Sequence, residues 1–185
     1  MRRKIMPARL PLPKNDELPA EIKETLETLP PLNVFRMVAT APASFKGFLE
    51  LAMSILAKSE FDPRKREIAV LRVARVTRSD YIWTQHIRVA KSVGVSDDEI
   101  KIISEQDPVN LLDKEGNLLC RAADEISRDV KLSDDALTKI LDFYGIRGAA
   151  ELILCISYFN MLSRFLESTR VEIEKENKGE SFDNH

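Results

Sequence analysis

Glycine is scarce, with six residues in a chain of 185, and long stretches run without Gly or Pro. A turn-rich β fold needs far more chain reversals than that, so the composition points to helices. Cysteine is scarcer still. Cys120 and Cys155 are the only two, which excludes a disulfide framework and suits a reducing cytoplasm. No basic stripe interrupts the even mixture of 28 basic and 30 acidic side chains, so no nucleic-acid partner is indicated. No apolar run approaches a bilayer span: the longest, Leu152 to Phe159, is far too short, and no membrane partner is expected. The basic start Met1-Arg2-Arg3-Lys4 leads into Pro7, Pro11 and Pro13 instead of an apolar stretch, unlike a secretory signal. One histidine besides the terminal His185, with scattered carboxylates, makes no metal-ligand set. No Gly-rich phosphate loop is present either, so neither a metal nor a cofactor is expected.

What the chain does contain is an ordinary globular balance, 44% hydrophobic and 31% charged residues with a net charge of −2. Its length suits one domain with a substantial core. Residues 1–19 are Pro-rich and read as an extended arm, residues 20–173 as a single helical domain, and residues 174–185 as a charged, flexible tail. Within the domain, short helices are expected at Glu21–Leu29, before Pro30-Pro31, and at Asn33–Ala39. Apolar residues from Phe45 to Leu56 recur at helical spacing and define a helix over 42–58.

Asp62 then caps a helix with Pro63 in its first position, running to about Thr77. A break at Arg78-Ser79 separates it from a helix over Asp80–Val93 that Gly94 ends. Ser96-Asp97-Asp98-Glu99 is a capping box for the next helix, and another spans about Glu115–Arg128. Ser133-Asp134-Asp135 opens a helix that stops at Gly145. A last long helix covers about Gly148–Thr169. Its near-continuous apolar run suggests a central helix or one covered by a second subunit.

Two polar residues sit where the periodicity demands apolar ones. On the helix from Pro63, Glu67 shares its face with Val70, Leu71 and Ala74. A carboxylate there is costly unless something pairs with it. On the next helix His86 lies among Ile82, Trp83, Val89, Ala90 and Val93, and histidine is the usual proton carrier near neutral pH. The short break folds the two helices into an antiparallel hairpin. Counting along each arm leaves Glu67 and His86 offset by roughly 6 Å, within reach of a glutamate side chain. Ser79 falls on the line of Ile82 and His86 at the hairpin mouth, and Tyr81 and Trp83 stand ready to line a pocket. From pattern alone, the pair fits a register-fixing contact as well as a catalytic one.

The spacing Glu67, eleven residues, Ser79, two residues, Ile82, three residues, His86 resembles the active-site frame of the carboxymuconolactone decarboxylase superfamily, which includes the alkylhydroperoxidase D peroxidases. The stretch His86-Ile87-Arg88-Val89-Ala90, with Gly94-Val95-Ser96 and Glu99-Ile100, looks like its decarboxylase branch. Tyr158-Phe159-Asn160-Met161 with Arg164-Phe165 looks like a longer subgroup. The resemblance covers about residues 32–173. It implies an all-α, alkylhydroperoxidase D-like helical bundle assembled as a homo-oligomer (a dimer, trimer or hexamer), with Glu67 and His86 as the catalytic pair.

In the peroxidase branch, cysteines occupy the positions of Ser79 and Ile82, and Tyr81 replaces an extra histidine. Serine cannot follow the sulfenic acid route and isoleucine cannot resolve a disulfide, so the dithiol mechanism is absent. The reading favoured is a cofactor-independent lyase or isomerase acting by acid–base chemistry on a small carboxylated lactone or related acid. Arg72 is a candidate for holding the substrate carboxylate or for a solvated surface position. The alternatives are an antioxidant role through Cys120 or Cys155, and a non-catalytic oligomer that binds or assembles through the old pocket.

Overall fold

The computed structural model describes residues 9–174. Among these residues the protein is all-α, with no strand. Helices α1 (Ala20–Glu27), α2 (Asn33–Ala39) and α3 (Pro42–Met53) lead through a π turn at Ser54–Lys58 into α4 (Pro63–Thr77). After these come α5 (Asp80–Ser92), α6 (Asp97–Glu105), α7 (Lys114–Asp129) and α8 (Asp134–Thr169). No helix among the described residues is long and apolar enough to cross a membrane.

Local chemistry sets most of these boundaries. Asp62 accepts from the Lys65 amide at 2.9 Å and Pro63 occupies the first turn of α4. Ser96 and Glu99 form a reciprocal capping box on α6, and the Ser133 hydroxyl accepts from the Ala136 amide on α8. Asp113 caps α7 by accepting from the Gly116 amide at 2.6 Å. Gly145, at φ 64° and ψ −177°, breaks α8 into two segments with no intervening loop. The helix expected from about 148 therefore resumes directly. In α3 the expected helix over 42–58 is continuous, but its last turn widens into the π turn.

Burial is greatest on α4. Every residue from Arg66 to Ala74 is buried, because α5, α6, α7 and α8 all pack against this helix. The apolar run of α8 faces α4, α5 and α7 on one side only, and Leu154 and Met161 on its outer side are about half exposed. The central helix is thus α4.

Arg72 lies neither in solvent nor at a substrate site, unlike the two positions considered for it. Its guanidinium grips Asp124 of α7 in bidentate fashion, with Nε to Oδ1 at 2.5 Å and a terminal nitrogen to Oδ2 at 2.8 Å. It also donates to the carbonyls of Ile103 and Gln106 and to Asp107. Burial works against its charge, yet the contact with Asp124 outweighs burial and holds its pKa above the ordinary value.

The chain ends meet on one side of the bundle. The Leu10 amide donates to the Thr169 carbonyl at 3.1 Å, and Arg9 pairs with Glu172. Asn15–Glu17 forms a 3-10 turn. The basic start and the rest of residues 1–8 in the expected arm lie outside the described residues, as do residues 175–185 of the expected tail. Glu174 accepts from the Asn33 amide, from the Tyr81 hydroxyl at 2.5 Å and from Gln85 Nε2 at 2.6 Å.

Arg72→Met is expected to destabilise the fold by about 3–5 kcal/mol, because Asp124 is left buried without its counter-charge. Chemical denaturation measures this. The double variant Arg72→Met/Asp124→Leu should regain a large part of the loss, and a double variant no more stable than the single would remove the clamp argument.

Candidate active site

The hairpin that carries the candidate pair is closed by backbone geometry. Arg78 ends α4 in the left-handed region (φ 55°), and the Ser79 amide turns back to the Ala74 carbonyl at 2.9 Å. That reversal lays α5 antiparallel to α4 with Ile82, 2% exposed, directed inward. One turn further along, His86 meets Glu67. The His86 Nδ1 to Glu67 Oε2 distance is 2.7 Å, so the glutamate side chain spans the axial offset expected from counting. Glu67 is wholly buried, and the His86 side chain is 13% exposed.

Three further groups complete the surroundings. Arg66 Nε donates to the other oxygen of Glu67, Oε1, at 3.3 Å. Phe159 of α8 stands edge-to-face against the imidazole, with centroids 4.8 Å apart and planes at 86°. Cys155, one turn before Phe159, feels the charges of both Glu67 and Arg66. A carboxylate on one side of the ring keeps the proton on Nδ1 and leaves the Nε2 lone pair free. Nε2 has no hydrogen-bond partner among the described residues. The arrangement is that of a general base backed by a carboxylate, with the outer ring nitrogen available to exchange a proton.

The four residues expected around the pair are placed as follows. Ser79 and Ile82 are buried in the hairpin, and the Ser79 hydroxyl has no hydrogen-bond partner among the described residues. Tyr81 sends its hydroxyl towards α2 and the C-terminal segment. There it accepts from the Val34 amide at 3.1 Å and borders a cavity of about 730 Å³ with Asn33, Asp80 and Arg170. Burial, with Glu174 beside it, pushes the Tyr81 phenol above its ordinary range. Trp83 lies beneath the Arg75 guanidinium, 5.7 Å from ring centroid to Cζ. Among the described residues no cluster of His, Cys, Asp or Glu has the arrangement of a metal site.

Two residues of this constellation escape sequence reading. Arg66 adjoins Glu67 in the chain, and a helical arginine beside a buried glutamate normally swings to solvent. Cys155 lies 88 positions beyond Glu67, and only the packing of α8 on α4 brings them together.

Residues 42–123 match the carboxymuconolactone decarboxylase family, and this segment contains both Glu67 and His86. No curated protein matches the sequence. Among solved structures, an uncharacterized peroxidase-related protein from Silicibacter sp. TM1040 superimposes with a TM-score of 0.76 at 20% identity, over 97% of this chain and 98% of that one. A protein of unknown function from Agrobacterium tumefaciens, described as a putative antioxidant defence protein AhpD, gives a TM-score of 0.62 at 19% identity. That match covers 73% of this chain and 93% of the other. At such identities the likeness is one of fold.

The two thiols differ in place and share one property. Cys120 sits beside the Arg72–Asp124 clamp and Cys155 beside Glu67. Burial pushes each thiol up to about 12. Arg72 opposes that shift at Cys120, and Glu67 adds to it at Cys155. Thiolate is the reactive form, so both cysteines are expected to resist iodoacetamide and hydrogen peroxide in the folded protein at pH 8 and to react fully once it is unfolded. Peptide mapping by mass spectrometry reads this, and rapid native labelling of either would restore a thiol mechanism. Over residues 42–123, which hold the glutamate–histidine pair, the chain is similar to the carboxymuconolactone decarboxylase family, and its helical bundle shares the fold of the two solved structures.

Proposed function

We propose that the protein is a cofactor-independent lyase or isomerase that decarboxylates or rearranges a small carboxylated lactone or related acid. The observation that carries this reading is the 2.7 Å contact between His86 Nδ1 and the buried Glu67, which leaves Nε2 free for proton transfer. Loss of CO₂ from an activated carbon leaves a carbanion or enolate, and a proton must reach that carbon. His86 Nε2 first takes up a proton from water, giving an imidazolium that Glu67 stabilises, and then delivers that proton to the carbon and returns to the neutral ring. Glu67 and His86 touch the reaction, directly or through one intervening atom. Ser79 and Ile82, in place of a dithiol, weigh against peroxide reduction, as do the two buried thiols.

We further propose that the chain works as a homo-oligomer. Phe143 and Ile146, on either side of the Gly145 break in α8, are 51% and 84% exposed, and Leu154 and Met161 further along it are 49% and 45% exposed. A second copy would cover these apolar side chains.

Wild type is expected to release CO₂ from 4-carboxymuconolactone or a related β-keto or lactone acid. His86→Ala should lower kcat by about 10²–10⁴-fold, the usual contribution of a general acid–base group. Glu67→Gln is expected to lower it too, since an amide cannot stabilise the charged imidazole. Full activity in either variant would sink the acid–base assignment. Light scattering should give a mass that is a multiple of 21.0 kDa, and Ile146→Asp should reduce it. A monomeric wild type would end the assembly proposal.

A further inference from the structure

Arg66 and Glu67 are neighbours in the chain, and neighbouring side chains on a helix point about 100° apart. An arginine so placed normally extends to solvent. Arg66 does not: the residue is 7% exposed, and its Nε turns back to Glu67 Oε1 at 3.3 Å. Glu67 gives its other oxygen, Oε2, to His86 Nδ1 at 2.7 Å. One fully buried carboxylate thus lies between a group that is always charged and a group that titrates.

The glutamate and the imidazole can share their protons in three ways. With Glu67 ionised and the ring neutral, Nδ1 carries the hydrogen and Nε2 is bare. One more proton gives either a carboxylate with an imidazolium or a carboxylic acid with a neutral ring. In both of these Nε2 carries a hydrogen. Only the first arrangement leaves a lone pair at Nε2, and it is the one in which the pair is negative. A buried negative charge is costly by itself, so a pair without a nearby cation holds on to the extra proton.

Arg66 is the cation in place. Among the described residues Glu67 has ion-pair partners in Arg66 and His86 alone. Elsewhere on α4, Arg72 is taken by Asp124 and Asp107, and Arg64 by Glu99. On α5, Gln85 is neutral and turns to Glu174, while Arg88 and Lys91 are exposed. On α8, Cys155 senses Glu67 but burial keeps it a thiol, and Arg164 is bound to Asn160. On α7, Cys120 is a buried thiol too. We propose that Arg66 is a positioning residue for the pair: its fixed charge balances Glu67 and so keeps Nε2 of His86 bare at neutral pH. The same charge makes the protonated ring the readier donor, because the imidazolium then stands near a second cation. This deepens the acid–base reading and rests on it for its use in turnover, although the protonation state of Nε2 can be read without turnover.

The chain itself supplies the probe. His86 and His185 are the only histidines, so the full-length protein made with isotope-labelled histidine shows two imidazole rings, and a His185→Asn variant assigns them. The nitrogen resonances tell a bare ring nitrogen from one that carries hydrogen. In wild type at pH 7.5, Nδ1 is expected to carry the hydrogen and Nε2 to be bare. In Arg66→Gln the bare form should fall roughly tenfold or more, as for loss of a hydrogen bond to a charged group. Arg66→Lys keeps the charge and should leave Nε2 bare. A wild-type Nε2 that already carries hydrogen overturns the proposal, and that measurement needs no variant to fold. An Arg66→Gln protein with Nε2 as bare as in wild type overturns it too, as does an Arg66→Lys protein that behaves like Arg66→Gln. The lyase reading fails separately. If His86→Ala leaves CO₂ release intact while Arg66→Gln protonates Nε2, that reading falls and the role of Arg66 stands. If His86→Ala stops CO₂ release while Arg66→Gln leaves both Nε2 and kcat unchanged, the role of Arg66 falls and the reading stands.

Discussion

A charge sealed from water needs a partner inside the protein, and the buried stretch of α4 carries three. Arg66, Glu67 and Arg72 lie within a stretch in which every residue from 66 to 74 is buried. Arg66 pairs within the helix with Glu67, and the other two each draw a different part of the fold towards α4. Arg72 binds α7 through Asp124 and the end of α6 through backbone carbonyls. Glu67 binds α5 through His86. Replacing such pairs with apolar residues of similar size often costs little, so stability alone is a weak reason to keep them. Their effect is to set register: slide α5 by one turn against α4, and Glu67 loses its imidazole.

The register in turn creates the reactive geometry. A carboxylate at Nδ1 and an aromatic edge from Phe159 hold the imidazole from two sides, and the ring keeps one nitrogen for an external partner. Where the peroxidase frame places sulfur, this chain has a buried serine hydroxyl and an isoleucine. The chain has the glutamate and the histidine of that frame, paired at 2.7 Å, and no thiol at its two sulfur positions. Cys155 lies close enough to sense Glu67, but burial keeps it a thiol and the neighbouring carboxylate reinforces that state.

The opposite flank of α5 serves another purpose. Tyr81 and Gln85 hold the carboxylate of Glu174, and the Asn33 amide at the start of α2 joins them. The segment after α8 is thereby fastened across α2 and α5, and the chain near Leu10 runs alongside it. One face of α5 handles the candidate chemistry while the adjoining face ties down the end of the described chain.

Caps and breaks were legible in the sequence because their chemistry acts over three or four residues. Asp62-Pro63, Ser96 with Glu99, Ser133 and Gly145 each set a boundary that the fold obeys. Glu67 and His86 stood out as polar residues on apolar faces, and the two-residue break between their helices required them to meet. The sequence alone therefore determined the helices and the juxtaposition of the pair. Tertiary structure decided the rest: that Arg72 clamps Asp124, that Arg66 is held beside Glu67 with its outer nitrogens unpaired, that Tyr81 faces Glu174, and that Cys155 joins the site. The reason is one of range. Capping and periodicity are settled within a single turn, whereas the partner of a long charged side chain depends on which distant helix packs against it.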